Sequence, residues 1–505
     1  MLKKYLLGFD VGTSESKGTL TNLTGKVLAT AAVKHGVISM QPGFAEHDPM
    51  KDWMEDFRKV ICSLLGQVRG NAEEIAAVGI STIMAAVTFV DENCEPLRNA
   101  ILYGIDTRCV KQTEEINRII GRERMEEEFG TLCTVEHFGP KILWVKENEP
   151  EIFARTKHIT FASGFLTARL TGKYFVDKYS VSSALPMLDA KTMQWGRFCD
   201  LICPREILPQ IAESTYSVIG TVTRQAAEET GLAEGTAVIC GTTDAGAEAV
   251  SAGVVQQGDT MLMYGSTAFF IGVTEKKTDH TKLWHCDYTI DWLHCYTAGM
   301  ATTGSLTRWL RDEMALDLVK KEEAGGENAY TALFREAEEI PAGSEGLIVL
   351  PYFQGERMPL QDPKAKGMIF GLNLRHTRGH VIHAALEGIG YGIAQNMQLF
   401  ADAGIPADCV TAVGGGTKSL LWLQIVSDIC GITQQVPEIT IGASYGDALM
   451  AGLAVETIEG PEAIKRLVQI RHVIKPDMEN FRKYQKYKEM FAQLYERNKD
   501  IMHKL

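Results

Sequence analysis

A short plan of strand, polar turn and strand occurs twice in this chain, about 255 residues apart. The first copy is an apolar run over 5–10, a turn over 11–15 and a second strand over 16–22; Thr24-Gly25 then turns it into 26–33 as an antiparallel meander. The second copy is 260–264, the small-residue turn Gly265-Ser266-Thr267, and 268–273. The first copy leads into a helical spacing of Trp53, Phe57, Val60, Ile61 and Leu64, strands over 75–80 and 86–90, and a helical pattern over 147–170 that Thr171-Gly172 stops. A chain of 505 residues is long enough for more than one core. The echo predicts two lobes of similar plan, 1–250 and 251–455. A charged helical extension, 456–505, is expected to pack on the outside of the second lobe.

The charge balance narrows the partners. A formal net charge of −13 is a poor basis for binding DNA or RNA, which rewards clustered Lys and Arg. The N-terminal apolar run is interrupted by Gly8 and meets Asp10, too soon for a signal sequence or a spanning helix. A cytoplasmic protein with no membrane partner is the expectation. The 11 Cys residues are odd in number and scattered, as reduced thiols are. His285-Cys286 and His294-Cys295 resemble metal ligands, but the stretch around them alternates like two strands about a turn, and zinc spacings differ.

Four places can carry chemistry. In Asp10-Val11-Gly12-Thr13-Ser14, followed by Lys17, a carboxylate at a strand end precedes a tight turn whose N–H groups can face phosphate oxygens. Asp10 can hold Mg²⁺ directly or through water, since that ion takes oxygen ligands and keeps several waters. The same residues also describe a plain hairpin turn with Asp at its start. Gly265, Ser266 and Thr267 offer a second such turn, with the same alternative. Gly414-Gly415-Gly416 end a strand and lead through Ser419 into a helix over 420–430; such a loop can lie flat against a nucleotide, or be only a flexible connection. It matches neither a Walker A loop nor G-x-G-x-x-G. Asp244 stands where a strand over 237–240 gives way to a helix. It can cap that helix or serve as a base toward an acceptor hydroxyl, and the two roles are compatible.

In this order the four pieces resemble the FGGY carbohydrate kinase family, and within it the xylulokinase branch, over most of the chain from Tyr5 to about Ala454. Two stretches carry the resemblance. GPKILWVKENEP (139–150) is similar to the first family signature. GMIFGLNLRHTRGHVIHAALEGIGYG (367–392) is similar to the second through Gly367, Gly371, His380, Ala384 and Glu387, and LPYFQGERMP (350–359) precedes it. The resemblance implies an α/β fold of two actin-like, ribonuclease-H-like lobes around a central cleft. It also implies ATP at Gly12, Thr13, Ser14, Lys17, Gly265, Ser266, Thr267, Gly414, Gly415, Gly416 and Ser419, magnesium at Asp10, and Asp244 as the catalytic base. Met84, Asp106, Arg108 and Asp244 would meet the acceptor.

Departures from the branch bear on the acceptor. A usual G-G-D-N is T-T-D-A here. A usual Q-M-H is replaced by a stretch, 81–85, in which only Met84 remains, and W-N-D-x-R becomes 103–108 with Asp106 and Arg108 kept. Losing a Gln and a His removes partners for sugar hydroxyls, and a buried polar sugar needs partners. The expected activity is therefore phosphorylation of a small sugar or polyol, ketopentose-like, with D-xylulose displaced or held differently. The alternatives are a kinase for a polyol such as glycerol or erythritol, or a catalytically weak sugar-binding regulator on the same fold. A homodimer is the base-rate expectation.

Overall fold

The computed structural model describes residues 2–189, 191–278, 283–405, 407 and 409–505. The chain divides into two compact units. One comprises Met1–Val255, Cys286–Leu293 and Ile441–Leu467; the other comprises Gln256–His285, His294–Thr440 and Val468–Leu505. The partition is not contiguous in sequence: the helix Ala443–Ala454 belongs to the first unit.

In the first unit, β1 (Tyr5–Val11) pairs antiparallel with β2 (Glu15–Asn22), which pairs with β3 (Val27–Lys34). On its other side β1 runs parallel to Ile75–Thr82, which runs parallel to Ala237–Ile239, and Val218–Thr221 closes that edge antiparallel. A strand buried on both faces must be apolar on both, and Leu6, Leu7, Phe9 and Val11 are all buried. Successive residues face opposite sides. Phe9 meets Phe57 of α1 (Glu55–Val68) edge-on, with ring centres 4.8 Å apart. The other face carries the helix Ala443–Ala454, and glycine decides how closely. A Cβ on Gly79 would lie 2.2 Å from the Asp447 carbonyl, and one on Gly446 would lie 1.9 Å from that of Ala247. Only hydrogen fits at either place, so this helix lies directly on the sheet and on the helix Asp244–Ser251.

The helical pattern over 147–170 resolves differently. Helices Phe138–Asn148 and Pro150–Arg155 are followed by a strand, His158–Phe161, before the helix Ala162–Thr171. Ile159, Thr160 and Phe161 suit a strand, and the antiparallel partner Val87–Val90 supplies the ladder that local spacing cannot reveal.

The second unit repeats the scheme. Thr260–Tyr264 pairs antiparallel with Ala268–Thr274, which pairs with His294–Met300. Thr260–Tyr264 runs parallel to Cys409–Val413, then comes parallel Thr433–Pro437, and Ile470–Ile474 closes antiparallel. Each unit is a mixed sheet flanked by helices, but their bounds depart from 1–250 and 251–455, since Cys286–Leu293 and Ile441–Leu467 belong to the first. The extension 456–505, expected to be helical and packed on the second lobe, instead has its first helix, Pro461–Leu467, in the first unit, and that edge strand precedes the helix Met478–Met502. The long helix buries Tyr484, Phe491 and Tyr495 in the second unit's core. No helix among the described residues is long and apolar enough to cross a membrane.

Candidate active site

Close packing in the first unit gathers acids that are far apart in sequence. Asp10 ends β1, Ser81 ends the parallel neighbour, and Asp447 projects from the helix that Gly79 lets approach. The Ser81 hydroxyl lies 3.1 Å from Asp10 Oδ1 and 2.7 Å from Asp447 Oδ2. Asp447 is fully buried, and its other oxygen, Oδ1, has no hydrogen-bond partner. Burial above all, and then neighbouring acids, raise both carboxyls well above the usual range; Asp244 acts most on Asp10, and Asp10 on Asp447.

Asp244 opens the helix Asp244–Ser251, but it is Thr243 that caps it, with Oγ1 3.1 Å from the Gly246 N–H. The Asp244 carboxylate accepts the Ala245 N–H at 2.7 Å, and burial lifts its pKa to about 6. One helical turn on, Glu248 is raised to about 7 by burial and by the Asp244 charge. Lys17, opposite Asp10 in the ladder, is the cation acting on Asp10 and Glu248, and it also pairs with Glu15 at 3.1 Å. So dense a group of acids favours a cation. Among the described residues no three His, Cys, Asp or Glu side chains converge into a metal cage. One or two carboxylates completed by water and phosphate oxygens suits Mg²⁺, which rarely takes an all-protein cage.

The glycine-bearing turns differ in build. In the first unit Gly12 N–H bonds Glu15 O at 3.0 Å, closing the turn over Thr13 and Ser14, and Thr13 Oγ1 lies 3.0 Å from the Tyr103 hydroxyl. In the second unit Gly265 N–H bonds Thr267 O at 3.0 Å. The Gly265 and Ser266 carbonyls there accept from the Gly304, Thr303 and Ser305 N–H groups at 3.0–3.1 Å, and from two hydroxyls. Gly414 has φ +89°, and a Cβ on it would strike the Tyr264 backbone; Gly415 faces open space. Ser419 caps the helix Leu420–Cys430, accepting the Trp422 N–H at 3.2 Å.

Met84 lines a small recess of about 10 Å³, room for about one water, with Thr82, Ile83, Phe138, Ser180 and Thr243 among its other walls. Asp106 and Arg108 do not line it. The Asp106 carboxylate accepts from Ala45 N–H at 2.7 Å and from the Arg108 backbone and guanidinium. That guanidinium has no exposed side-chain surface; it pairs with Glu46 at 2.8 Å and lies 3.9 Å from the Phe44 ring centre and 5.0 Å from that of Trp144. A larger surface recess around Thr171, Val218 and Gly235 has a single acid, Glu234, in its walls.

Sequence reasoning did not find Glu248, Ser81 or Asp447. Glu248 is visible in hindsight, four residues after Asp244 on one helix face. Asp447 has a weaker signal, a lone acid in the apolar run Ala443–Ala454.

Comparison with known proteins supports the reading. The N-terminal domain model of the FGGY family of carbohydrate kinases matches residues 5–251, and the C-terminal domain model matches 260–455. A xylulose kinase of Bacillus subtilis (strain 168) is 29% identical, over 99% of this chain and 98% of its own length. A gluconokinase of Bacillus licheniformis is 25% identical over 98% of this chain and 96% of its own. Among solved structures, xylulose kinase from Rhodospirillum rubrum superposes with a TM-score of 0.91 at 27% identity, covering 99% of this chain and 100% of the other.

Proposed function

Because the chain belongs to the FGGY family of carbohydrate kinases, we propose that it moves the γ-phosphoryl group of ATP onto a hydroxyl of a neutral, ketopentose-like sugar or a small polyol, in the cytoplasm. The observation that carries this reading is the half-buried Asp244 carboxylate at a helix start, beside Asp10 and Glu248, with Thr243 lining the recess that Met84 also lines.

With a pKa near 6, Asp244 is mostly ionised at neutral pH and ready to accept a proton. The acceptor O–H gives that proton to Asp244 as its oxygen bonds the γ-phosphorus. The bond from that phosphorus to the bridging oxygen breaks, and ADP leaves with the electron pair. In the first unit the turn amides at Gly12–Ser14, with Lys17, suit phosphate oxygens; in the second unit the turn Gly265–Thr267 suits phosphate, and Gly414–Gly416 with Ser419 suit adenosine. Magnesium, held by Asp10 directly or through water, would spread the phosphate charge.

The recess joins apolar walls, from Ile83, Met84, Phe138 and Phe161, to hydroxyls from Thr82, Ser163, Ser180 and Thr243. The recess itself has room for about one water, so these groups would meet only one edge of a sugar. No Lys or Arg lines it, and a carboxylate placed against these walls would be unpaired, which favours a neutral acceptor at this edge. Asp106 and Arg108 shape the surrounding loop. A regulator without turnover would need no ionisable base, and Asp244 speaks against that alternative.

The test is a coupled ADP-release assay over ketopentoses, glycerol, erythritol and gluconate, read as kcat/KM. A neutral ketopentose or polyol is expected to lead. Preference for gluconate, or binding without turnover across the whole panel, refutes the reading.

A further inference from the structure

The turn at Gly12–Ser14 is gripped from beneath by two histidines whose side chains are buried. His35, just beyond β3, places Nε2 3.0 Å from the Gly12 carbonyl, and its own backbone N–H bonds the Ser14 carbonyl at 3.0 Å. His47 places Nε2 3.1 Å from the Thr13 carbonyl. The rings meet edge-on with centres 4.8 Å apart. Each has a second partner. Trp53 Nε1 donates to His47 Nδ1 at 3.1 Å, and Asp56 Oδ2 lies 2.9 Å from His35 Nδ1.

These partners fix the protons. A carbonyl only accepts, so a ring nitrogen facing one must carry hydrogen. The Trp53 indole only donates, so His47 Nδ1 is bare and its single proton sits on Nε2, toward Thr13. Burial and the nearby His35 depress the His47 pKa to about 4, which agrees with a neutral ring. For His35, one proton lies between Nδ1 and Asp56, and whichever holds it, Nε2–H still faces Gly12. The His35 and Asp56 side chains are almost wholly buried, 3% and 4% exposed.

In a trans peptide the carbonyl of one residue and the N–H of the next point in opposite directions. Drawing the Gly12 and Thr13 carbonyls inward therefore turns the Thr13 and Ser14 amides outward, as a concavity for an anion. In the second unit the carbonyls of Gly265 and Ser266 are also drawn in, there by the backbone and hydroxyls of Thr303–Ser305. Side chains do in one turn what a helix start does in the other.

We infer that His35 and His47, braced by Asp56 and Trp53, are positioning residues that aim the Thr13 and Ser14 amides at the phosphate chain of the nucleotide. The inference rests on the reading that this turn takes phosphate. Its test is to measure KM for ATP and for the best acceptor separately in His47→Asn, His47→Gln and Thr13→Pro, with thermal melting of each variant. Asn is too short to reach the Thr13 carbonyl. Gln can donate to it and still accept from the indole. His47→Asn is expected to raise KM for ATP about tenfold, the worth of one lost hydrogen bond, with the acceptor KM within about twofold. His47→Gln is expected to recover most of that loss, and Thr13→Pro, which deletes an amide, to raise KM for ATP. If Thr13→Pro raises KM for ATP while His47→Asn leaves it unchanged, or if His47→Asn raises both KM values equally, the inference is overturned and the turn's phosphate role stands. If neither variant moves KM for ATP, the phosphate role falls and the inference with it. Should His47→Asn fail to fold, His35→Gln against His35→Leu puts the same question at the Gly12 carbonyl.

Discussion

Replacing Asp244 with Asn should separate chemistry from stability, because the two should move in opposite directions. Asn keeps the shape and the bond from the Ala245 N–H but cannot accept the substrate proton. Loss of a general base costs about 10²–10⁴ in rate, or about 3–5 kcal/mol of transition-state stabilisation. In the parent, kcat/KM should fall about tenfold per pH unit below about 6, and this limb should vanish in Asp244→Asn. Stability follows from linkage. Burial makes the folded state prefer the neutral acid, raising its pKa from 3.8 to about 6. The stability this group contributes is full below pH 3.8 and is lost as pH rises through 6. That loss is at most about 3 kcal/mol by pH 8, from about two pKa units. A neutral Asn avoids it. Asp244→Asn should thus be nearly inactive yet more stable than the parent at pH 8, by a margin that shrinks toward pH 5. Coupled ADP release from pH 5 to 9 and urea unfolding at pH 5 and 8 measure both. A rate loss below about tenfold, or a variant less stable than the parent at pH 8, would refute the reasoning.

Other outcomes follow from the same geometry. Ser81→Ala removes the hydroxyl shared by Asp10 and Asp447 and should destabilise the fold by about 1–3 kcal/mol in urea titration. Gly446→Ala drives a Cβ to 1.9 Å from the Ala247 carbonyl; the helices must part, with about 1–3 kcal/mol lost and kcat falling as Asp244 shifts, while Gly415→Ala, which meets open space, should leave the melting temperature unchanged. Arg108→Lys loses the planar stack on Phe44 and the forked bond to Asp106 and should cost about 3 kcal/mol of unfolding free energy. Chelation of divalent cations should abolish turnover, and titrating Mg²⁺ back should restore it, with a steeper requirement in Asp10→Asn.

Much of this was legible in the sequence. Alternation and turn residues are local, so the strands around Gly12 and Gly265 could be read directly, and their repetition announced two units of one plan. Asp244 was visible because a strand end, a polar residue and a helix start adjoin in sequence. The strand His158–Phe161 and the strand Ile470–Ile474 were missed because their residues fit either period and the ladder partner decides. Asp106 and Arg108 were identified as residues meeting the acceptor, but sequence could not show that their donors and acceptors are taken up by each other, by Glu46 and by the backbone.

What the sequence determined by itself is the kind of chain this is: the two-unit plan, the glycine turns, the acid at a helix start and the family they belong to. Tertiary structure decided the company those residues keep. Asp447 lies hundreds of residues from Asp10, and the missing side chains of Gly8, Gly79 and Gly446 let its helix come within reach of Ser81. His35 and His47 look like ordinary polar residues until the fold aims their ring nitrogens at successive carbonyls. Hydrophobic periodicity is set by neighbours along the chain, whereas burial, charge coupling and proton placement are set by neighbours in space.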